Sequence, residues 1–85
     1  MADDIVREVV QILRDVLRLG ARADGMDAGT ALLGGLPEFD SMAVVSVVTA
    51  LEEHYGLAFD DDEIRGEAFE SVGSLAELVR SKLAA

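Results

Sequence analysis

Residues 36–45, Leu-Pro-Glu-Phe-Asp-Ser-Met-Ala-Val-Val, separate a glycine-rich loop from a strongly periodic apolar segment. Asp40 and Ser41 lie at the boundary, and both are residue types that cap the N-termini of helices. A helix needs only one such cap. If Ser41 were the cap, a capping box would require Glu or Gln at position 44, where the chain has Val44. We therefore predict that Asp40 caps the helix and that Ser41, its first residue, keeps a free hydroxyl.

The composition limits the classes of protein to which the chain can belong. It has 85 residues, no cysteine and one histidine, which excludes disulfides and both cysteine-based and multi-histidine metal sites. A net charge of −10 argues against binding to nucleic acid or to an anionic membrane, because both require positive charge. It favours partner proteins with basic patches.

No apolar run approaches the roughly 20 residues of a membrane span. The acidic residues Asp3 and Asp4 are unlike a secretory signal peptide. We expect one domain over residues 1–85, free-standing, monomeric and cytoplasmic.

The apolar residues of two segments recur at the spacing of amphipathic helices. The first segment covers about residues 3–18, and Gly20 is placed to end it. The second runs from Ser41 to Tyr55 and is followed by Gly56. Neither segment shows the alternation that predicts a strand.

A third main helix and a shorter helix are predicted in the C-terminal half. Asp60 or Asp61 could cap the short helix. Two serines could cap the last helix, since Ser74 matches a capping box with Glu77 and Ser71 lies one turn earlier. The sequence thus predicts an all-α protein, a small four-helix bundle with three main helices and one short helix.

The connection from residue 19 to residue 40 is too long for an ordinary loop and indicates a structured or functional one. It contains five of the eight glycines and the only proline. We expect Leu32, Leu33 and Leu36 to anchor this long first loop to the core. A short helical turn is expected at about residues 28–33.

The second helix presents two different stripes on a helical wheel. The apolar stripe, which predicts the core face, consists of Val44, Val47, Val48, Leu51 and Tyr55. The mixed stripe beside Ser41 consists of Met42, Val45, Thr49, Glu52 and Glu53. Because a simple surface stripe would be polar throughout, Met42 and Val45 indicate either contact with another protein or burial in a second core face.

The start of the second helix also suits a phosphate group. The N–H groups of a first helical turn and the helix dipole both favour an anion. A phosphate ester on Ser41 would therefore be tolerated at this position.

Asp40-Ser41-Met42 resembles the Asp-Ser-Leu motif that begins the second helix of the acyl carrier protein family and its peptidyl carrier relatives. Residues 50–56, Ala-Leu-Glu-Glu-His-Tyr-Gly, resemble the family's end to that helix. Residues 69–79 resemble the run into its last helix. With the four-helix order, the long first loop and the acidity, the resemblance covers essentially the whole chain.

The resemblance implies that Ser41 carries a 4′-phosphopantetheine arm in phosphodiester linkage and that Asp40 belongs to the attachment motif. The thiol of the arm would hold acyl groups as thioesters for enzymes of a fatty-acid, polyketide or other specialised acyl pathway. The carrier itself would catalyse nothing.

The resemblance also implies the partners. They are a phosphopantetheinyl transferase and acyl-loading and acyl-processing enzymes with basic docking patches. Met42, Glu52 and Glu53 match positions at which the family docks its partners, and Val45 and Thr49 belong to the same stripe.

The residues around the motif depart from the family pattern. Many fatty-acid carriers have Gly-Ala or Gly-Leu before Asp-Ser, where this chain has Glu38-Phe39. Ala43 and Ser46 replace acidic residues that are common in the first turns of the helix. These differences favour a dedicated pathway over general fatty-acid synthesis. The alternative hypothesis is an acidic helical adaptor that binds basic partners and uses Ser41 only structurally.

Two other constellations are rejected on spacing. Counted from Asp60, an acidic run lacks the Gly and Glu that an EF-hand loop needs at its sixth and twelfth positions. Ser41 and His54 are separated by about 20 Å along one helix, so they cannot form a hydrolase triad. We expect His54 to be a surface residue.

Overall fold

Three α-helices form the framework of the protein in a computed structural model that describes residues 2–84, without the side chains of residues 2 and 3. The helices are α1 (Ala2–Leu17), α2 (Ser41–Tyr55) and α3 (Val72–Ala84). Three 3₁₀ segments connect them, at Gly20–Gly25, Asp61–Glu63 and Gly66–Phe69. The predicted helical bundle is confirmed, and two short 3₁₀ segments occupy the region of the short helix.

All three helices contribute to one hydrophobic core. The helical residues with no exposed surface are Val9, Leu13, Val47, Leu51, Val72, Leu75 and Val79. The predicted core face of α2 is correct for Val47, Val48 and Leu51, whereas Val44 and Tyr55 are half-buried. The apolar periodicity of the sequence thus identifies the face of each helix that packs inward.

The end of α1 differs from the prediction. Arg18, rather than Gly20, is the first residue with a left-handed backbone, with φ of 55°. The Leu19 N–H donates to the Arg14 carbonyl at 3.0 Å, as in a Schellman motif. The turn comes early because Leu19 is buried and must return to the core directly after the helix.

The end of α2 follows the prediction. Gly56 has φ of 66°, a conformation in which a residue with a Cβ atom is strained. Its N–H and that of Leu57 both donate to the Glu52 carbonyl. The glycine therefore closes the helix and directs the chain towards the acidic run.

Of the two serines that could cap α3, the structure uses Ser71, and the alternative, a Ser74–Glu77 capping box, is wrong. The helix begins at Val72, and the Ser71 hydroxyl accepts a hydrogen bond from the Ser74 N–H at 3.1 Å. The Ser74 hydroxyl in turn accepts from the Ser71 N–H at 3.0 Å. The serine pair forms a reciprocal box of the kind that usually has Glu or Gln in the second position. Glu77 instead pairs with Arg80.

The long first loop is held against the start of α3 by backbone hydrogen bonds. The expected helical turn at residues 28–33 is wrong, because this stretch, which turns at residues 28–29 and again at residue 33, pairs its backbone with residues 69–73. Leu32 donates to the Glu70 carbonyl at 2.8 Å, and Gly73 donates to the Ala28 carbonyl at 2.8 Å. A side chain at position 73 would collide with that same carbonyl oxygen, which explains the glycine.

The anchors of this loop are partly as predicted. Leu32 is fully buried and Leu36 half-buried, but Leu33 is 39% exposed and does not anchor the loop. A turn over residues 33–35 begins directly after Leu32, and it leaves the Leu33 side chain facing solvent. Phe39 is a further anchor, only 4% exposed.

Candidate functional site

The start of α2 has the geometry that the capping argument requires. Asp40 has an extended backbone, and its Oδ1 accepts a hydrogen bond from the Ala43 N–H at 2.9 Å. Its carbonyl accepts from the Val44 N–H at 3.0 Å. Ser41 is the first residue of the helix, is exposed, and has no hydrogen bond to its hydroxyl within residues 4–84. An exposed, unbonded hydroxyl therefore lies at the positive end of a helix.

The residues before Asp40 hold this helix start in place. Phe39 is buried, and its ring lies 6.0 Å from that of Phe69, between ring centroids. The Phe39 N–H donates to the Leu36 carbonyl at 3.0 Å, and the Asp40 N–H donates to the Glu38 carbonyl at 3.1 Å. The departure from the Gly-Ala pattern thus places an aromatic anchor directly before the capping residue.

Glu38 is paired with Arg22, which lies in the first 3₁₀ segment. Two guanidinium nitrogens of Arg22 donate to the two carboxylate oxygens of Glu38, one of them at 2.8 Å. The hydrogen bond from Arg22 lowers the pKa of Glu38 to about 2. Sequence reasoning missed this pair because the partners are 16 residues apart and any of 17 acidic residues could have matched Arg22.

The mixed stripe of α2 is largely exposed on the side of Ser41. Met42 is 79% exposed and Val45 is 66% exposed, so the alternative that they belong to a second core face is wrong. Thr49 and Glu53 are exposed as well. Among the described residues, these four side chains make no hydrogen bond or ion pair. They are therefore available to another molecule.

Glu52 differs from the rest of this stripe. It is half-buried, and its carboxylate accepts a hydrogen bond from the Phe59 N–H at 2.8 Å. Phe59 is itself a core residue. Glu52 therefore fastens the segment after α2, and any docking role would be shared with this structural one.

The far end of α2 carries the remaining candidates. His54 is exposed, as expected, and its ring meets that of Tyr55 edge-on at 4.7 Å. The Tyr55 hydroxyl donates to the Glu8 carboxylate at 2.6 Å and so joins α2 to α1. Burial, and then the Glu8 carboxylate, raise the pKa of Tyr55 above its usual value.

The acidic run at residues 60–63 has a structural use. The Glu63 carboxylate accepts from the Asp60 N–H at 2.8 Å and from the Lys82 ammonium at 2.9 Å. These two hydrogen bonds lower the pKa of Glu63. In the described part of the chain, no group of three acidic or histidine side chains is arranged to hold a metal ion.

Comparison with known proteins places this geometry in a family. The profile of the phosphopantetheine attachment site family matches residues 7–79. The structure is similar to the solution NMR structure of a holo acyl carrier protein from Nitrosomonas europaea, with 51% sequence identity and a TM-score of 0.89. The similarity covers 94% of this chain and 96% of that chain. The chain belongs to the acyl carrier protein family. A search of curated proteins gives no match.

Members of the acyl carrier family are carriers rather than catalysts, and 4′-phosphopantetheine is the group that is covalently attached to them. The start of α2 fits such a group in this chain. Ser41 offers an exposed hydroxyl, and the first-turn N–H groups of a 15-residue helix favour the phosphate. Among residues 2–84, no helix has the length and apolar character needed to cross a bilayer.

Proposed function

We propose that Ser41 carries 4′-phosphopantetheine and that the chain holds acyl intermediates as thioesters on the thiol of this arm. The observation that carries the proposal is the division of roles at the start of α2. Asp40 provides the cap, at 2.9 Å from the Ala43 nitrogen, and Ser41 is left exposed with an unbonded hydroxyl. A serine that the helix needed for capping would be a poorer acceptor.

The arm would come from coenzyme A through a separate transferase. The Ser41 Oγ–phosphorus bond forms while the diphosphate bond of coenzyme A breaks, and the nucleotide leaves as adenosine 3′,5′-diphosphate. The hydroxyl proton passes to a base on the transferase. The N-terminal end of α2 favours the charge of the resulting phosphodiester.

The mixed stripe supports a docking surface for the transferase and for acyl-loading and acyl-processing enzymes. Met42 and Val45 supply exposed apolar area next to Ser41, and Glu53 supplies negative charge further along the helix. An apolar centre with charged surroundings is typical of protein interfaces. Partners with basic patches would be attracted over a distance by the net charge of −10.

We further propose that the carrier serves a dedicated acyl pathway rather than general fatty-acid synthesis. The support is local. Glu38, Phe39 and Ala43 differ from the pattern of many fatty-acid carriers, and all three lie within three residues of Ser41. Enzymes that bind around Ser41 would therefore contact a surface different from that of many fatty-acid carriers. The net charge of −10 also opposes self-association, which supports a monomer.

Intact-protein mass spectrometry tests the proposal. The chain is incubated with coenzyme A and each of several phosphopantetheinyl transferases, beside the variants Ser41→Ala and Ser46→Ala. Ser46 is a matched control because it is exposed on the same helix. We expect the mass of one arm on the unaltered chain and on Ser46→Ala, and none on Ser41→Ala. Modification that survives Ser41→Ala, or failure with every transferase, would favour the acidic adaptor.

A further inference from the structure

The structure assigns to Arg22 a role in presenting Ser41 for modification. We infer that Arg22, paired with Glu38, is a positioning residue for the attachment of phosphopantetheine. The inference rests on the proposed function of Ser41. It concerns residues that lie outside both the attachment motif and the mixed stripe of α2.

The pair has the geometry of a specific contact. Two of the three guanidinium nitrogens each donate to one carboxylate oxygen, an arrangement that fixes orientation as well as distance. In contrast, Arg7, Arg14 and Arg18 make no ion pair within residues 4–84, although the chain has 17 acidic residues. Within these residues the arginines that pair with a carboxylate are Arg22 and Arg80, and the partner of Arg22 lies three residues before Ser41.

The pair is connected to Ser41 through a short and well-anchored path. Glu38 accepts the Asp40 N–H on its carbonyl, and Phe39 between them is buried against Phe69. On the other side, Arg22 is followed by buried Ala23 and preceded by buried Leu19. The ion pair therefore joins two anchored segments across the outside of the loop, and it restrains the turn from which α2 begins.

The pair also changes the charge that an incoming donor meets. Coenzyme A is a polyanion, and Glu38 is only three residues from Ser41. A carboxylate without a partner there would repel the donor, and a guanidinium paired with it cancels that charge locally. Arg22 thus favours modification in two ways, by restraining the turn and by neutralising Glu38.

A charge-swap experiment tests the inference with the apo form of the 85-residue chain. The variants are Arg22→Glu, Glu38→Arg and the double swap, with Arg14→Glu as a control for charge at an exposed, unpaired arginine. Steady-state kinetics with an active transferase and saturating coenzyme A give kcat and KM for the carrier. We expect Arg22→Glu to lower kcat about tenfold, as misplacement of a reacting group does. The double swap should restore most of the loss, and Arg14→Glu should leave kcat unchanged.

Three results would overturn the inference. One is an unchanged kcat in Arg22→Glu. Another is a double swap that is worse than either single variant, because this indicates direct contact of Arg22 or Glu38 with the transferase. The third is a loss confined to KM, which indicates docking. Failure of the inference leaves the unaltered chain fully modifiable, whereas failure of the proposed function leaves it unmodified.

A milder variant keeps the test informative if the charge reversals unfold the loop. Glu38→Gln keeps the shape of the side chain and one oxygen that can accept a hydrogen bond from Arg22. We therefore expect this variant to fold. Circular dichroism melting shows that each variant is folded at the assay temperature. We expect Glu38→Gln to lower kcat less than Arg22→Glu does, and an equal or larger loss would contradict the restraint and neutralisation described above.

Discussion

The Asp40 carboxylate accepts a hydrogen bond from the Ala43 N–H at 2.9 Å. This one contact separates two tasks at the start of α2. Asp40 accepts a hydrogen bond from an N–H group that has no partner within the helix, so the Ser41 hydroxyl is not needed as a cap. The second capping residue type in the sequence is therefore available for chemistry.

The cap itself should be measurable as stability. Asp40→Ala removes the acceptor and should lower the free energy of unfolding by about 1 kcal/mol, the usual value for a lost N-cap. Asp40→Asn keeps an acceptor oxygen and should lose much less. Urea denaturation of the three proteins gives the values. Equal stabilities for the unaltered chain and the Asp40→Ala variant would show that the hydrogen bond contributes nothing.

The docking surface should respond to charge at Glu53. Glu53→Lys should slow the transferase, mainly through the association rate, and the defect should shrink as salt rises because the Debye length falls to about 8 Å at physiological ionic strength. Glu67→Lys makes the same change of charge at an exposed residue outside α2 and serves as the control. Glu52 is unsuited to this test since it also binds the Phe59 N–H. Equal rates for the two variants at low salt would exclude this surface.

Tyr55 should make stability depend on alkaline pH. Its pKa is raised in the folded protein, by burial and by the Glu8 carboxylate. The stabilisation is therefore complete below the unfolded-state pKa of about 10, and it is lost as pH rises through the higher folded-state pKa. Tyr55 is the only tyrosine, so Tyr55→Phe isolates the effect.

The Tyr55→Phe chain should be about 1 kcal/mol less stable at neutral pH, the typical net value of a hydrogen bond. The gap between the two proteins should narrow above about pH 10, where only the unaltered chain has a tyrosine to ionise. Urea denaturation across this range measures the gap. A gap that stays constant or widens would contradict the raised pKa of Tyr55.

Salt should stabilise the protein. A net charge of −10 on a small domain repels itself, and within residues 4–84 only Arg22, Arg80 and Lys82 form ion pairs with carboxylates. All three pairs are partly exposed to solvent, so each contributes little to the free energy of unfolding. Screening by salt should therefore weaken the repulsion between carboxylates more than it weakens the ion pairs. The melting temperature should then rise from low to physiological salt. A flat or falling melting temperature would show that the ion pairs dominate.

Much of the fold follows from local sequence signals. The helix α2 could be placed from Ser41 to Tyr55 because a capping residue, an apolar stripe and Gly56 all agree. Local signals leave the cap of α3 open, since Ser71 and Ser74 are both suitable residue types. The structure selects Ser71 because the long loop pairs with residues 70–73 and fixes where the helix begins.

The features that escaped prediction depend on tertiary contacts. The stretch at residues 28–33 carries no strand pattern, and its conformation is set by backbone hydrogen bonds to residues 69–73. Arg18 adopts a left-handed conformation because Leu19 must be buried, which no propensity of arginine indicates. The pairing of Arg22 with Glu38 likewise depends on the fold of the loop, which brings together two residues that are 16 positions apart in the sequence.

The central claim is that Ser41 alone carries the arm. The chain contains five serines, so the direct measurement is peptide-level tandem mass spectrometry of the chain after reaction with coenzyme A and a transferase. Fragmentation of the peptide that spans residues 36–45 should show the phosphopantetheine mass on Ser41, with the peptides containing Ser46, Ser71, Ser74 and Ser81 unmodified. The arm on any other serine, or no arm on Ser41 under conditions that modify a reference carrier, would contradict the account.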